Sequence, residues 1–265
     1  MNCLLKYVLF FKGAFKSSAI YRLSTLVNIC RSVIFIFVQY SLWKALIQTG
    51  IRQDVNLRDM VVFIMITEAV RSLCNENIAN DIGASIRDGS VTISLLQPMS
   101  HRLYLFSTML GYNCYELLTS ALPVIVVGSL MMGFPLPASP VDFLFFVLMT
   151  AIGIFLLFEI NYVSGLMAFW TQSTWFISWY VEAGDRLFGG SVVPLWFYPD
   201  ALKTIARYLP FRYVSFEGVN FFLGRVPVPE MARSLVTALI WCAVLYVAGK
   251  MLWFRAQKKL TVNGG

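Results

Sequence analysis

Six long apolar stretches occupy most of this chain and leave little material for a water-facing core. They run over Leu23–Ile47, Met60–Leu73, Leu103–Met132, Phe143–Trp170, Thr174–Val193 and Met231–Phe254. A helix that crosses about 30 Å of hydrocarbon needs about 20 mostly apolar residues. The first, third, fourth and sixth runs meet that length easily, the second is short and the fifth is interrupted. Charged residues make up only 13% of the chain, against about 25% in an ordinary soluble domain. Mean hydropathy is +0.70. The expectation is an all-α membrane protein, one domain over residues 1–265, with six transmembrane helices and no soluble part large enough for its own core.

A net charge of +7 invites a nucleic-acid reading, but its placement argues for a membrane instead. Lys6, Lys12, Lys16 and Arg22 precede the first run, and Lys250, Arg255, Lys258 and Lys259 close the last one, with no acid in either tail. The bias of positive residues toward the inner side then puts both termini in the cytoplasm, which requires an even number of crossings. In the first loop Arg52 and Arg58 are balanced by Asp54 and Asp59, as suits an outer loop.

The N-terminal segment has lysines through its apolar run and no small-residue cleavage site, so it does not read as a cleaved signal. Leu4, Val8, Phe11 and Phe15 recur at helical spacing with the lysines opposite. Residues 1–20 thus read as an interfacial helix, with a solvated leader as the alternative. The five cysteines are scattered without metal-ligand spacing and read as small apolar residues.

Catalytic signatures are missing. Gly249-Lys250 lacks the upstream glycine of a phosphate-binding loop, so this chain does not cradle ATP. The single histidine, His101, stands at a loop end, and nothing fills the nucleophile, base or metal roles. No catalytic residue and no metal site is assigned.

Two non-spanning segments are more informative. In the inner loop, residues 78–101, Ile78, Ile82 and Ile86 repeat every fourth residue, while Asn80, Asp81, Ser85 and Asp88 take other faces and Gly89 is placed to stop the helix. This is a handle for a soluble partner or a helix lying on the membrane surface. After Gly190, Pro194, Pro199 and Pro210 punctuate apolar pieces too short to span. Residues 194–210 read as re-entrant outer helices, or else as an outer loop with aromatic anchors. The fifth run carries Glu182, Asp185 and Arg186 on one helical face, which must meet protein or water.

Tyr21-Arg22 before the first run, Asn80-Asp81-Ile82-Gly83 with Ile86-Arg87-Asp88-Gly89 and Leu95-Leu96-Gln97-Pro98, and Gly190-Ser191-Val192-Val193-Pro194 with Pro199 and Leu209-Pro210-Phe211 together resemble the ABC-2 family of transporter permeases. The nearest subgroup looks like bacterial drug-export permeases related to daunorubicin- and viologen-type exporters. The likeness covers nearly the whole chain, and Glu182–Arg186 is more polar than the pattern leads one to expect. The resemblance implies a permease subunit of an exporter in the bacterial cytoplasmic membrane. It also implies a second permease subunit, identical or different, and a pair of separate ABC ATPase subunits that hold the ATP and Mg. The coupling helix maps onto Asn80, Asp81, Ile82, Ser85, Ile86, Arg87, Asp88 and Gly89, and an outer re-entrant gate onto Gly190, Pro194, Pro199 and Pro210.

Arg31, Glu116 and Glu159 are charges inside the apolar runs. A charge at the bilayer centre costs about 2.5–3.5 kcal/mol on the insertion scale, so such groups face a partner or a wet cavity. Arg31 is expected to pair with one of the two glutamates, either lining the path or holding the bundle together. Proton-coupled transport and a scaffold without flux are the competing functions; the first favours inverted repeats, and none is evident.

Overall fold

A computed structural model describes residues 3–48, 56–74, 78–92, 99–171 and 175–260. All regular structure among them is helical. Among the described residues four helices are long and apolar enough to cross a membrane: α2 (Arg22–Gln48), α5 (His101–Met132), α6 (Pro140–Leu166, continued by a 3-10 turn to Phe169) and α10 (Val228–Leu260, over its stretch Val228–Lys258). The second and fifth apolar runs become α3 (Leu57–Ser72) and α7 (Trp175–Phe188), of 16 and 14 residues. At about 1.5 Å per residue neither is long enough to cross alone. By length and composition the described residues thus show four of the six expected spans.

The bundle is apolar on the outside. On α2 only the stripe Ser32, Ile36, Gln39 and Trp43 is buried, while Leu23, Leu26, Val27, Ile34, Phe37 and Val38 are exposed. Two of the four buried positions are polar, the reverse of a soluble helix. By contrast α3 is buried along Met60–Thr67 and forms the centre of a core with Ile36, Trp43, Val124, Phe216 and Phe222.

α3 stops beside the first half of α5. The carbonyl of Leu73 accepts from Asn113 Nδ2 at 2.6 Å, and Asn113 is fully buried on α5. Asn113 lies twelve residues from the start of α5 at His101, about 18 Å along its axis. The helix end is thus satisfied by protein rather than by water.

α4 (Ile78–Arg87) follows. Ile78, Ala79, Ile82 and Gly83 are buried, and α4 packs on α6. Gly165 of α6 makes this seat possible, because a Cβ there would lie 2.9 Å from Ile82 Cδ1 and 3.0 Å from Ala79 Cα.

α1 (Cys3–Ile20) packs lengthwise against the first half of α5. Phe10 meets Tyr104 edge-on, Phe15 meets Tyr115, and the Ser100 N–H donates to Tyr7 Oη at 3.3 Å. Ala14 is its buried residue, whereas Val8 is 45% exposed. Of the stripe read from sequence, Phe15 packs on Tyr115 and Phe11 is half-buried, while Val8 faces outward.

Candidate functional site

A polar cleft of about 470 Å³ opens beside the end of α3. α2 contributes Arg31, Ser32, Phe35 and Gln39, and α3 contributes Ile64, Thr67, Glu68, Arg71 and Ser72. Glu116 comes from α5, Glu182 and Arg186 from α7, and Ser191 and Val192 from the turn after it. A local irregularity in α5 helps to build the site. Leu117–Ala121 is a π-helical stretch that begins immediately after Glu116 and buries Thr119 and Ser120. Such widened turns change the direction in which side chains project.

Arg31 Nη2 lies 3.7 Å from Glu116 Oε1 and donates to Ser120 Oγ at 3.4 Å. Arg186 pairs with Glu182 one helical turn away. Arg71 Nη1 donates to Ser191 Oγ at 2.7 Å and stands 3.6 Å from Asp185 Oδ2. Asp185 is buried, so this contact joins the last turn of α3 to α7. The same-face spacing of Glu182, Asp185 and Arg186 signalled that α7 would turn this face to protein or water. Glu68 and Arg71 were visible only as a polar end to the second run.

Glu159 is not in this cleft. It is fully buried on α6, and its Oε2 lies 3.2 Å from Arg102 Nη2. The Arg102 guanidinium lies 4.6 Å from the Tyr162 ring centre and 4.3 Å from that of Tyr246, and it donates to the Tyr246 carbonyl at 3.2 and 3.3 Å. Beside it, His101 stacks on Trp253 at 4.6 Å. The three intramembrane charges thus belong to two separate places. Arg102 was missed because it follows His101 at a loop edge.

On α4, Asp81, Arg87, Asp88 and Gly89 are exposed, Asn80, Ser85 and Ile86 are half-buried, and Ile82 is buried. The helix therefore offers a partner one face and its C-terminal end. Asp88 Oδ1 accepts from the Ser90 N–H at 2.8 Å. Hydrogen bonds from the Ser90 side chain and backbone hold its carboxyl below the usual range. Gly89 takes φ +77°, which stops the helix. Leu95, Leu96, Gln97 and Pro98 lie outside the described residues.

Beyond α7, Gly190 is buried with φ +65°, Pro194 and Pro210 are buried, and Pro199 is exposed. A 3-10 turn at Leu195–Phe197 leads to α8 (Asp200–Tyr208), of which only Ala206 is buried. The deeply packed piece lies further on, at α9 (Phe216–Phe222), where every residue is buried. The Val214 carbonyl abuts Gly153, thirteen residues along α6 from Pro140, or about 20 Å. The Phe222 carbonyl accepts from the Ala138 N–H at 3.0 Å, at the start of α6. Arg212 pairs with Glu217 inside this segment.

Among the described residues no group of His, Cys, Asp and Glu gathers to hold a metal ion. Paired charges around a cleft suit binding. Comparison with curated proteins finds no match, and neither does comparison with solved structures. A family model described as ABC-2 family transporter protein matches residues 26–264. The chain belongs to the ABC-2 transporter family, whose members are the membrane components of ABC transporters.

Proposed function

We propose that this chain is one permease subunit of an ATP-driven exporter in a bacterial cytoplasmic membrane. A second permease subunit, identical or different, completes the path. Two separate ABC ATPase subunits, which carry ATP and Mg, drive it from the cytoplasm. Both termini then lie inside, α1 and its lysines lie near the inner surface among lipids, and α3–α4 and α7 with its following segment complete six passages. In this reading the descending α8 and the returning α9 form a re-entrant pair, displaced toward the C-terminus from residues 194–210.

The observation that carries the reading is the seat of α4 on α6 within a chain of this family. Asp81, Arg87 and Asp88 are free to meet a motor, while Ala79 and Ile82 are fixed against Gly165. A push on the exposed edge of α4 is delivered to α6 rather than absorbed by a loose loop. Coupling through a packed element with two arrangements is the physical requirement for such transmission.

The test is reconstitution. The purified chain, with its partner permease and an ATPase encoded beside it, should move cargo into inside-out vesicles only when ATP is present. Flux by this chain alone under a proton gradient would favour a proton-coupled carrier and defeat the proposal. Absence of any flux with a bound, active ATPase would favour a scaffold.

A further inference from the structure

Arg31, Arg71 and Arg186 bring positive charge to the cleft wall, and Glu68, Glu116 and Glu182 bring negative charge. Each guanidinium already has a carboxylate beside it: Glu116 for Arg31, Glu182 for Arg186, and Asp185, just behind the wall, for Arg71. Glu68 is the carboxylate left without a direct ion pair of its own among the described residues. An anion entering the cleft meets arginines that are engaged; a cation meets Glu68, on which Arg71 and Arg31 act only from beyond ion-pair distance.

A second observation is independent of this charge count. Ser32 and Thr67 line the same cleft at 1% and 3% exposure, and the hydroxyl of each has no hydrogen-bond partner. A buried hydroxyl left unsatisfied costs about 1–3 kcal/mol, so two of them in one cleft mark a place where something else supplies the contact. The cleft also reaches Ser72 and Cys74, at the C-terminal end of α3. The last carbonyls of a helix carry about half a negative charge, and broken helices at bilayer depth present that end to cations. Phe35, Ile64 and Val192 supply an apolar wall.

The geometry points to a binding site for an amphiphilic organic cation, with its charge against Glu68 and its apolar body along Phe35, Ile64 and Val192. That this cation is the exported cargo rests on the permease reading; that the cleft binds one does not. A cleft of about 470 Å³ falls within the roughly 300–1,000 Å³ of small-molecule sites.

Tetraphenylphosphonium and tetraphenylborate share a shape and differ in the sign of their charge. Full-length protein in nanodiscs of neutral lipid is titrated with each, with empty discs as the background. Saturable phosphonium binding is expected, weakened about tenfold or more in Glu68→Gln, with no saturable borate binding. Arg31→Gln, at an exposed position that tolerates change, removes a positive charge from the wall and should tighten phosphonium binding by about threefold. Wild-type protein that binds no phosphonium, or that binds borate equally well, overturns the site. So does phosphonium binding that ignores Glu68→Gln, or that fails to tighten in Arg31→Gln. ATP-driven export of a neutral or anionic cargo together with a failed titration removes the cation site alone. A sound titration without ATP-driven flux removes the permease reading alone.

Discussion

Arg102 and Glu159 form the most enclosed ion pair among the described residues, with side chains 12% and 0% exposed at 3.2 Å. The pair joins the first turn of α5 to the last third of α6, and Tyr246 brings in α10 through its ring and its carbonyl. Three spans are therefore fastened at one point. Removing one partner of such a pair strands a buried charge and costs about 3–5 kcal/mol. Arg102→Met should lower the melting temperature of the protein in nanodiscs sharply, and the double variant Arg102→Met with Glu159→Gln should recover much of the loss. Additive losses in the double variant would show that the two residues act separately.

The other intramembrane pair should behave differently. Arg31 and Glu116 are 60% and 41% exposed at 3.7 Å. Pairs of that kind contribute about 0–1 kcal/mol. Glu116→Gln should leave melting nearly unchanged while altering which cargo is exported, measured as relative transport rates across a panel of charged and neutral compounds. A large drop in melting temperature with unchanged selectivity would make the pair a structural fastening instead.

Length and hydropathy made α2, α5, α6 and α10 legible in the sequence, because a bilayer imposes a minimum apolar run that few other structures need. What stayed hidden follows from the same solvent. Lipid is as apolar as a protein core, so hydropathy does not say which side of an apolar helix meets protein. On α1 the packed face includes Phe10 and Ala14, while Val8 of the apparent stripe is exposed. On α2 the inward stripe includes Ser32 and Gln39. Tertiary packing also chose the partners of the charges. Arg31 and Glu116 come together, but Glu159 takes Arg102, a residue that sequence position alone assigns to a loop edge. The proline spacing after Gly190 located a non-spanning segment, yet the most buried helix in it, Phe216–Phe222, carries no proline to mark it.

The seat of α4 yields a prediction about coupling. A side chain at Gly165 must displace Ala79 and Ile82, since an added Cβ comes within 3.0 Å of both. Overpacking of this kind costs about 1–3 kcal/mol. Gly165→Val should leave the protein inserted and able to bind its ATPase, but ATP turnover should no longer produce transport. Charge reversal of Asp81, Arg87 and Asp88 together should uncouple by the other route, through loss of ATPase binding, and leave melting unchanged. Normal transport by the triple variant would detach α4 from the motor.

The turn that ends α4 should loosen in acid. Asp88 accepts from the Ser90 N–H at 2.8 Å, and its carboxyl is held below its ordinary value chiefly by hydrogen bonds from the Ser90 side chain and backbone. For a carboxylate whose folded-state pKa is depressed, the added stability is fully present above the unfolded-state pKa. It is lost as pH falls through the folded-state value, because the protonated oxygen accepts poorly. Amide exchange at Ser90 should therefore be protected at neutral pH. After correction for intrinsic rates, that protection should fall below the ordinary carboxylate range. Asp88→Asn keeps an acceptor oxygen without the charge, so it should show weaker protection with no pH step, and Asp88→Ala should show none. The group is fully exposed to solvent, so the effect should stay local: α4 above the turn is held by Ile78, Ala79 and Ile82 against α6, and exchange there should not follow the Ser90 step. A step that spread through the whole of α4 would mean that its seat depends on the turn and not on the packing at Gly165.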